Sequence, residues 1–233
     1  EIEDGDDAAF REMRAVLAES PDPDPADPAD RARYERIASL VDLAQHADYT
    51  LLQIYGANTD WPNKNWRIAR DRVLGDRFQT FVWDYEHLTA LHDDPDRGFC
   101  VPEQRDPVTG ECGYIAGTDG VFGLHGWLRH FPDYQMLFAD RARRHLFGDG
   151  SLAPGPAAER YRALAGEIDR AIAAEAARWG VASPEPRTFV EQRTAWFDYA
   201  ARRGQVPQTR DMWLQERDRL LGRYFPVRSG VVM

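Results

Sequence analysis

With 233 residues, 43% hydrophobic and 12% aromatic content and seven tryptophans, the chain has enough apolar material for a globular core of one large domain and is not a disordered polypeptide. Its 39 acidic and 29 basic side chains leave a formal charge of −10, which argues against nucleic-acid binding, because that needs a basic face. No apolar run reaches the length of a transmembrane helix, and the elements, taken in order, read as an α+β, predominantly helical chain.

The chain opens with a predicted helix over residues 8–19, where Phe10, Met13 and Leu17 recur at three- and four-residue spacing. The alternating prolines and aspartates from Pro21 to Pro28 forbid regular structure and favour an extended, solvated loop. Residues 1–30 therefore read as a helix and Pro/Asp-rich loop ahead of a main body over 31–233. Asp30 is positioned to cap the next helix, which carries the stripe Tyr34, Ile37 and Val41. A further helix over about residues 44–55 sends Leu51, Leu52, Ile54 and Tyr55 into the core. His46 on that helix lacks a partner at i+3 or i+4 and reads as a surface or capping residue.

That helix delivers the chain to Gly56-Ala57-Asn58-Thr59-Asp60-Trp61-Pro62-Asn63-Lys64-Asn65-Trp66. Two short runs, 66–70 and 78–83, follow with Leu74-Gly75-Asp76 between them, and read as a β-hairpin. Asn65 and Asp84 are equidistant from a turn centred between Leu74 and Gly75, so a regular hairpin brings them opposite each other, and a bulge would shift that register by one residue. After Asp84 comes a long irregular segment, 91–120, with His92, Asp93, Asp94 and Asp96 early in it; it also holds Cys100 and Cys112, either a disulfide or two free thiols. The rest is helical: 121–130 capped by Asp119, then a helix from Pro132 closed by Gly148. Next comes one from Pro156 to Trp179 with Tyr161, Leu164, Ile168, Ile172 and Trp179 as its buried stripe and Gly180 as its stop. Thr188 and Glu191 form a capping box for another, and the last spans about 209–221 with Met212, Trp213, Leu220 and Leu221 inward.

The chemistry concentrates in the stretch around Asp60. Asp60 and Asn65 stand in a D-x-x-x-x-N relation; at that spacing in a phosphoryl-transfer catalytic loop, the Asp accepts the substrate hydroxyl proton and the Asn holds Mg²⁺. Such a site takes a second metal ligand from an Asp beyond a hairpin, and Asp84 fills that place. Asp and Asn are also common in turns and caps, so the pair by itself does not define a site.

The string Gly56–Trp66, followed by Phe81-Val82-Trp83-Asp84-Tyr85-Glu86-His87-Leu88, resembles the core of the CotH-type (spore coat protein H) kinase family. The similarity extends to Phe138-Ala139-Asp140-Arg141, His145–Leu152, Glu175–Gly180, Tyr224–Ser229 and the opening Glu3-Asp4-Gly5-Asp6, and so covers nearly the whole chain. The resemblance implies an atypical protein-kinase-like C-terminal lobe that uses ATP with Mg²⁺ or Mn²⁺ to phosphorylate protein Ser or Thr, at a cell surface or in a spore coat. It implies Asp60 as the catalytic base-like residue and Asn65 and Asp84 as metal ligands. Lys64 joins these two as a nucleotide-binding candidate, and Glu86 is an auxiliary acid of open role.

One departure bears on activity. A kinase needs a phosphate-covering loop and a Lys for the α- and β-phosphates. Gly117, Gly120 and Gly123 have the wrong spacing for such a loop, and Lys64 is the chain's one lysine. The expectation is a C-terminal lobe whose ATP-clamping part lies upstream, in a missing N-terminal lobe of the same protein. Two other function classes stay open: a non-catalytic surface or scaffold module that keeps the fold, and a glycosidase with Asp84 and Glu86, or Asp60 and Asp84, as its carboxylate pair.

Overall fold

The computed structural model describes residues 5–56, 58, 65–85, 120–179 and 209–232. These are mostly helical, with a sheet of two antiparallel strands, as an α+β chain dominated by helix requires. No described helix is long and apolar enough to cross a membrane. The described residues fall into two compact units, one comprising 5–54, 58, 65–85 and 120–144, the other Tyr55 and Gly56, 145–179 and 209–232.

In the first unit, α1 (Ala8–Glu19) packs on α2 (Pro28–Leu40) through Met13, the fully buried member of its predicted stripe. The start of α2 differs from the sequence expectation. Asp27, not Asp30, caps the helix by accepting from the Ala29 amide at 2.8 Å, and Pro28 occupies the first turn, where its missing N–H costs nothing. Asp30 is instead buried and folds the Pro/Asp loop back on itself, accepting from the Asp24 amide at 2.9 Å and from Arg33 at 3.0 Å. The Asp24 hydrogen bond holds its carboxyl below the ordinary range.

The core of this unit joins Tyr34, Ile37, Val41 and Ala47 to Leu124, Trp127, Leu128 and Phe131. The last four come from α4 (Gly120–Leu128) and the turn into α5 (Pro132–Leu146). Aromatic rings stack through it, Tyr34 to Phe131 at 4.7 Å and Phe131 to Trp127 at 4.8 Å, and the Trp127 indole N–H donates to Ser20 O at 2.7 Å. Each such aromatic pair contributes about 0.5–1.5 kcal/mol beyond the area it buries.

The hairpin consists of β1 (Trp66–Ala69) and β2 (Gln79–Val82), paired Trp66 to Val82 through Ala69 to Gln79. Its tip is built locally: the Asp71 carboxylate accepts from the Val73 and Leu74 amides at 2.8 and 3.0 Å, and Gly75 takes φ +72°. The ladder is centred on Leu74 and not between Leu74 and Gly75. By continuation of this ladder Asn65 lies opposite Trp83, and Asp84 lies one residue beyond, so the expected facing of Asn65 and Asp84 is off by one position. The tip inside that ladder is a six-residue turn closed by the Asp76 amide on Asp71 O, at 3.0 Å.

α3 (Leu43–Gly56) carries the hairpin. At the start of β2, the Phe78 amide donates to Leu40 O at 2.7 Å and the Asp42 amide to Phe78 O at 2.9 Å. One pair further on, the Gln45 side chain takes the place of a neighbouring strand: its Nε2 donates to Thr80 O at 2.6 Å and its Oε1 accepts from Thr80 N at 2.8 Å. The outer edge of β2 is thus occupied at both points, which matters because a bare edge invites foreign pairing. Beside it the Nδ1 atom of His46 meets the Thr80 hydroxyl at 3.2 Å, and both residues are buried. His46 is therefore a core residue and not a surface or capping one.

The second unit packs α6 (Pro154–Trp179) against a continuous helical run made of α7 (Arg210–Arg219), one π turn (Leu220–Tyr224) and α8 (Phe225–Val231). α6 begins two residues before the expected Pro156. Ala157 and Ala165 are buried and Tyr161 is half-buried, against Phe225 at 5.3 Å, whereas Leu164 and Ile168 are about half exposed at 55% and 48%. The expected stripe was the larger side chains; the positions that bury are the alanines, while Tyr161, from the expected stripe, packs on α8 through Phe225. Tyr224 and Arg228 both donate to Tyr55 O, the latter at 2.8 Å, and the Ser229 hydroxyl donates to Leu152 O at 2.8 Å. Gly148, at φ +59°, closes α5 as the sequence predicts. Cys100 and Cys112, the acid cluster from His92 to Asp96, Asp119 and the Thr188–Glu191 box all lie outside the described residues.

Two stability predictions follow from the first unit. Gln45→Ala strands the Thr80 N–H and C=O at a part-buried edge, and we expect a loss of about 1–3 kcal/mol in urea unfolding, with faster amide exchange in β2. Burial holds His46 down at about 3, with His125 adding repulsion, and holds His125 at about 4, with Arg129 adding to it. The unfolded chain titrates its histidines near the ordinary value of about 6.5. It therefore takes up protons first, so stability is intact above that pH and falls as the pH drops towards 4 and then 3. Between pH 7 and pH 5 each buried histidine should cost on the order of 2 kcal/mol, read from urea midpoints, and His46→Gln should roughly halve the slope.

Candidate functional site

The stretch from Gly56 to Tyr85 is organised by α3. Along its length this helix supplies one anchor after another. Gln45 and His46 hold Thr80 in β2, as described. Asp48 binds Arg141 of α5 through both carboxylate oxygens, with the Nε contact at 2.6 Å, and the pairing raises the affinity of Arg141 for its proton. The Leu52 carbonyl accepts from the Tyr85 hydroxyl, next to Asp84. Gln53 holds the start of the Asp60 loop: its carbonyl accepts from the Asn58 amide at 3.3 Å, and its Oε1 from the Asn58 side chain at 2.9 Å. Both side chains are fully buried.

Of the residues singled out from the sequence, Asn65 and Asp84 are described; Asp60, Lys64 and Glu86 lie outside the described residues. Asn65 and Asp84 flank the hairpin at its open end, immediately before β1 and two residues after β2. Their backbones share an uncommon property. They are the described non-glycine residues in the left-handed region, with φ +60° at Asn65 and φ +52° at Asp84. Asn and Asp enter that region more readily than other side chains, because their short polar groups bond locally, but glycine enters it at no cost. The Asp84 carboxylate is exposed and Asn65 half-buried.

Next to Asp84 in the sequence, Trp83 carries a cation. The Arg67 guanidinium lies 4.1 Å from the centroid of the Trp83 ring, on the face of the hairpin that carries Phe81 and Trp83, both about half exposed. At a half-exposed ring such a contact is worth about 0.5–1 kcal/mol and favours one position of a long side chain.

The donor set can be tested against a hard divalent cation. An amide and a carboxylate at one end of a hairpin are oxygen donors of the sort Mg²⁺ and Mn²⁺ take, and Mg²⁺ commonly draws one or two protein ligands and fills its shell with water and phosphate oxygens. Asn65 and Asp84 suit that chemistry. Among the described residues, no three His, Cys, Asp or Glu side chains gather into a metal-holding group.

Sequence reasoning passed over Gln45, Gln53, Thr80 and Tyr85, which do the positioning. One signal was present: His46, Thr50 and Gln53 recur at i, i+4 and i+7, a polar line along one side of the helix. Gln45 and Tyr85 gave none, since each acts through one partner far away in sequence. No protein-family model matches the chain, and neither does any curated protein or solved structure.

Proposed function

We propose that the chain carries the catalytic loop and metal-ligand pair of a CotH-type protein kinase, which transfers the γ-phosphoryl group of ATP to a Ser or Thr hydroxyl of a protein. In this reading the acceptor oxygen forms the new P–O bond as the bond to the β–γ bridging oxygen breaks, ADP leaves, and the hydroxyl proton passes to the Asp60 carboxylate. Asn65 and Asp84 hold Mg²⁺ or Mn²⁺, whose charge offsets that of the phosphates, with Lys64 as a further contact to the nucleotide. Gln53, through Asn58, fixes where the Asp60 loop begins. Tyr85, through Leu52, fixes the residue after Asp84. Such chemistry depends on position and charge more than on covalent help from the protein, so a rigid frame is what it needs.

The observation that supports this reading is internal to the hairpin. It has three left-handed positions, one at the tip and two at the open end. The tip is Gly75, with nothing within 4 Å of where a Cβ would be, so backbone geometry alone accounts for it. The open end uses Asn65 and Asp84, which keep side-chain oxygens at some conformational cost; backbone strain of this sort gathers at functional sites. Arg67, over the ring of Trp83, the residue before Asp84, adds the positive charge that a polyphosphate favours.

A second reading, a non-catalytic binding module with the same fold, is favoured by one observation: Lys64 is the chain's one lysine and no G-x-G-x-x-G occurs. Calorimetry separates the two. For the kinase reading we expect ATP to bind only with Mg²⁺ or Mn²⁺, and Asp84→Ala to weaken it at least ~100-fold, about 2.7 kcal/mol. Absence of metal-dependent binding in the folded chain would favour the module.

A second test uses the backbone. Asn65→Gly and Asp84→Gly suit the left-handed conformation, so each should leave unfolding stability within about 1 kcal/mol of the parent while abolishing nucleotide binding. Loss of stability with retained binding would assign these side chains a structural role.

A further inference from the structure

The inner face of α3 poses a problem of its own, independent of any catalytic role. His46, Thr50 and Gln53 are each fully buried, with 0% exposure. At about 100° per residue the three lie within roughly 60° of one another around the helix, so they form one line about 10.5 Å long. Among the described residues, His46 Nε2, Thr50 Oγ1 and Gln53 Nε2 find no hydrogen-bond partner. Thr50 is notable because a helical threonine commonly bonds back to the carbonyl four residues earlier, and here its hydroxyl does not. For Gln53 the argument holds whichever way its amide is turned, since one end faces Asn58 and the other is left over.

A dry interior does not tolerate three such groups in a row: a buried polar atom without a partner costs about 1–3 kcal/mol, and native proteins meet nearly all of them. The other ends of the same residues are satisfied. His46 Nδ1 reaches Thr80 Oγ1 at 3.2 Å, and Gln53 Oε1 takes the Asn58 amide at 2.9 Å. What remains is a polar line bounded at one end by Thr80 of the hairpin and at the other by Asn58. The spacing fits a particular guest. Side chains at i, i+4 and i, i+3 on a helix stand about 5–6 Å apart, and one water with two hydrogen bonds of about 2.8 Å spans that gap.

We infer that the inner face of α3 is an internal hydration site, in which two water molecules bridge His46 to Thr50 and Thr50 to Gln53. The bridges complete a polar chain from Thr80 through α3 to Asn58. Waters held in this way commonly make about three hydrogen bonds each and count as part of the fold.

A high-resolution crystal structure of this chain at ambient temperature tests it. Water density within about 3.2 Å of at least two of the three atoms is the expected result; a fully defined but dry face overturns the inference. In solution, Thr50→Val keeps the shape and removes only the hydroxyl. If Thr50 holds both waters, the folding equilibrium constant should fall about 2- to 10-fold, and water–protein cross-relaxation at residues 46–53 should weaken. A dry site predicts the opposite sign, because valine then replaces an unmet hydroxyl: an unchanged or larger constant overturns the inference. Should Thr50→Val fail to fold, cross-relaxation between water and the parent chain's residues 46–53 decides alone.

Discussion

The pairing of one side-chain amide with the backbone of Thr80 is the contact on which the arrangement around the hairpin depends. Two strands of four residues do not hold together in water by themselves. This hairpin persists because Gln45 completes β2 as though it were a third strand, satisfying the Thr80 N–H and C=O together, while Phe78 borrows Leu40 and Asp42. A neutral amide suits the task. It offers a donor and an acceptor at the spacing of a peptide group, and it does so without burying a charge. Glutamate in its place would offer two acceptors to one donor and one acceptor, and so would leave Thr80 O opposed by a carboxylate.

From that contact the logic of α3 extends in both directions. Its successive polar groups are spent on holding other segments: Thr80, Arg141, Tyr85 and Asn58 each find a partner on this one helix. The apolar groups between them, Ala47 and Leu51 among the most buried, supply the burial that keeps the helix in place. The arrangement gives rigidity at a cost. His46 must stay neutral in the interior beside His125, so the helix that carries the hairpin is also a part of the core sensitive to acid.

Much of this was legible in the sequence where local physics decides. Residues 8–19, Pro132 at a helix start, Gly148 at a helix end and Gly75 at the turn follow from steric rules that act within a few residues. The failures all involve a choice between near-equivalent candidates that only tertiary contact resolves. Asp27 and Asp30 are both able to cap α2, and the folded-back loop claims Asp30. Leu164 and Ala165 are neighbours on α6, and of the two it is the smaller that is buried. The hairpin register moved by one around a tip closed between Asp71 and Asp76, a detail that the alternation of strand residues does not encode. His46 was misplaced because a single histidine carries no sign of burial unless the whole polar line is considered with it.

The same comparison bears on how far a motif may be trusted. A D-x-x-x-x-N spacing is a statement about sequence distance, whereas a site is a statement about convergence, and only the second constrains chemistry. For Asn65 and Asp84 the useful evidence is conformational. Both leave the ladder through a left-handed turn at the same end of one hairpin, although glycine, which the chain uses at the tip, would do so more cheaply. If the requirement were for the turn alone, nothing would favour an oxygen-bearing side chain at both places over glycine at either. Asn and Asp do recover part of the cost through local hydrogen bonds, which weakens the inference for one residue taken singly. Two such residues, one on each side of the same opening, with an arginine over the ring of the adjoining Trp83, form a pattern that turn-making does not by itself require.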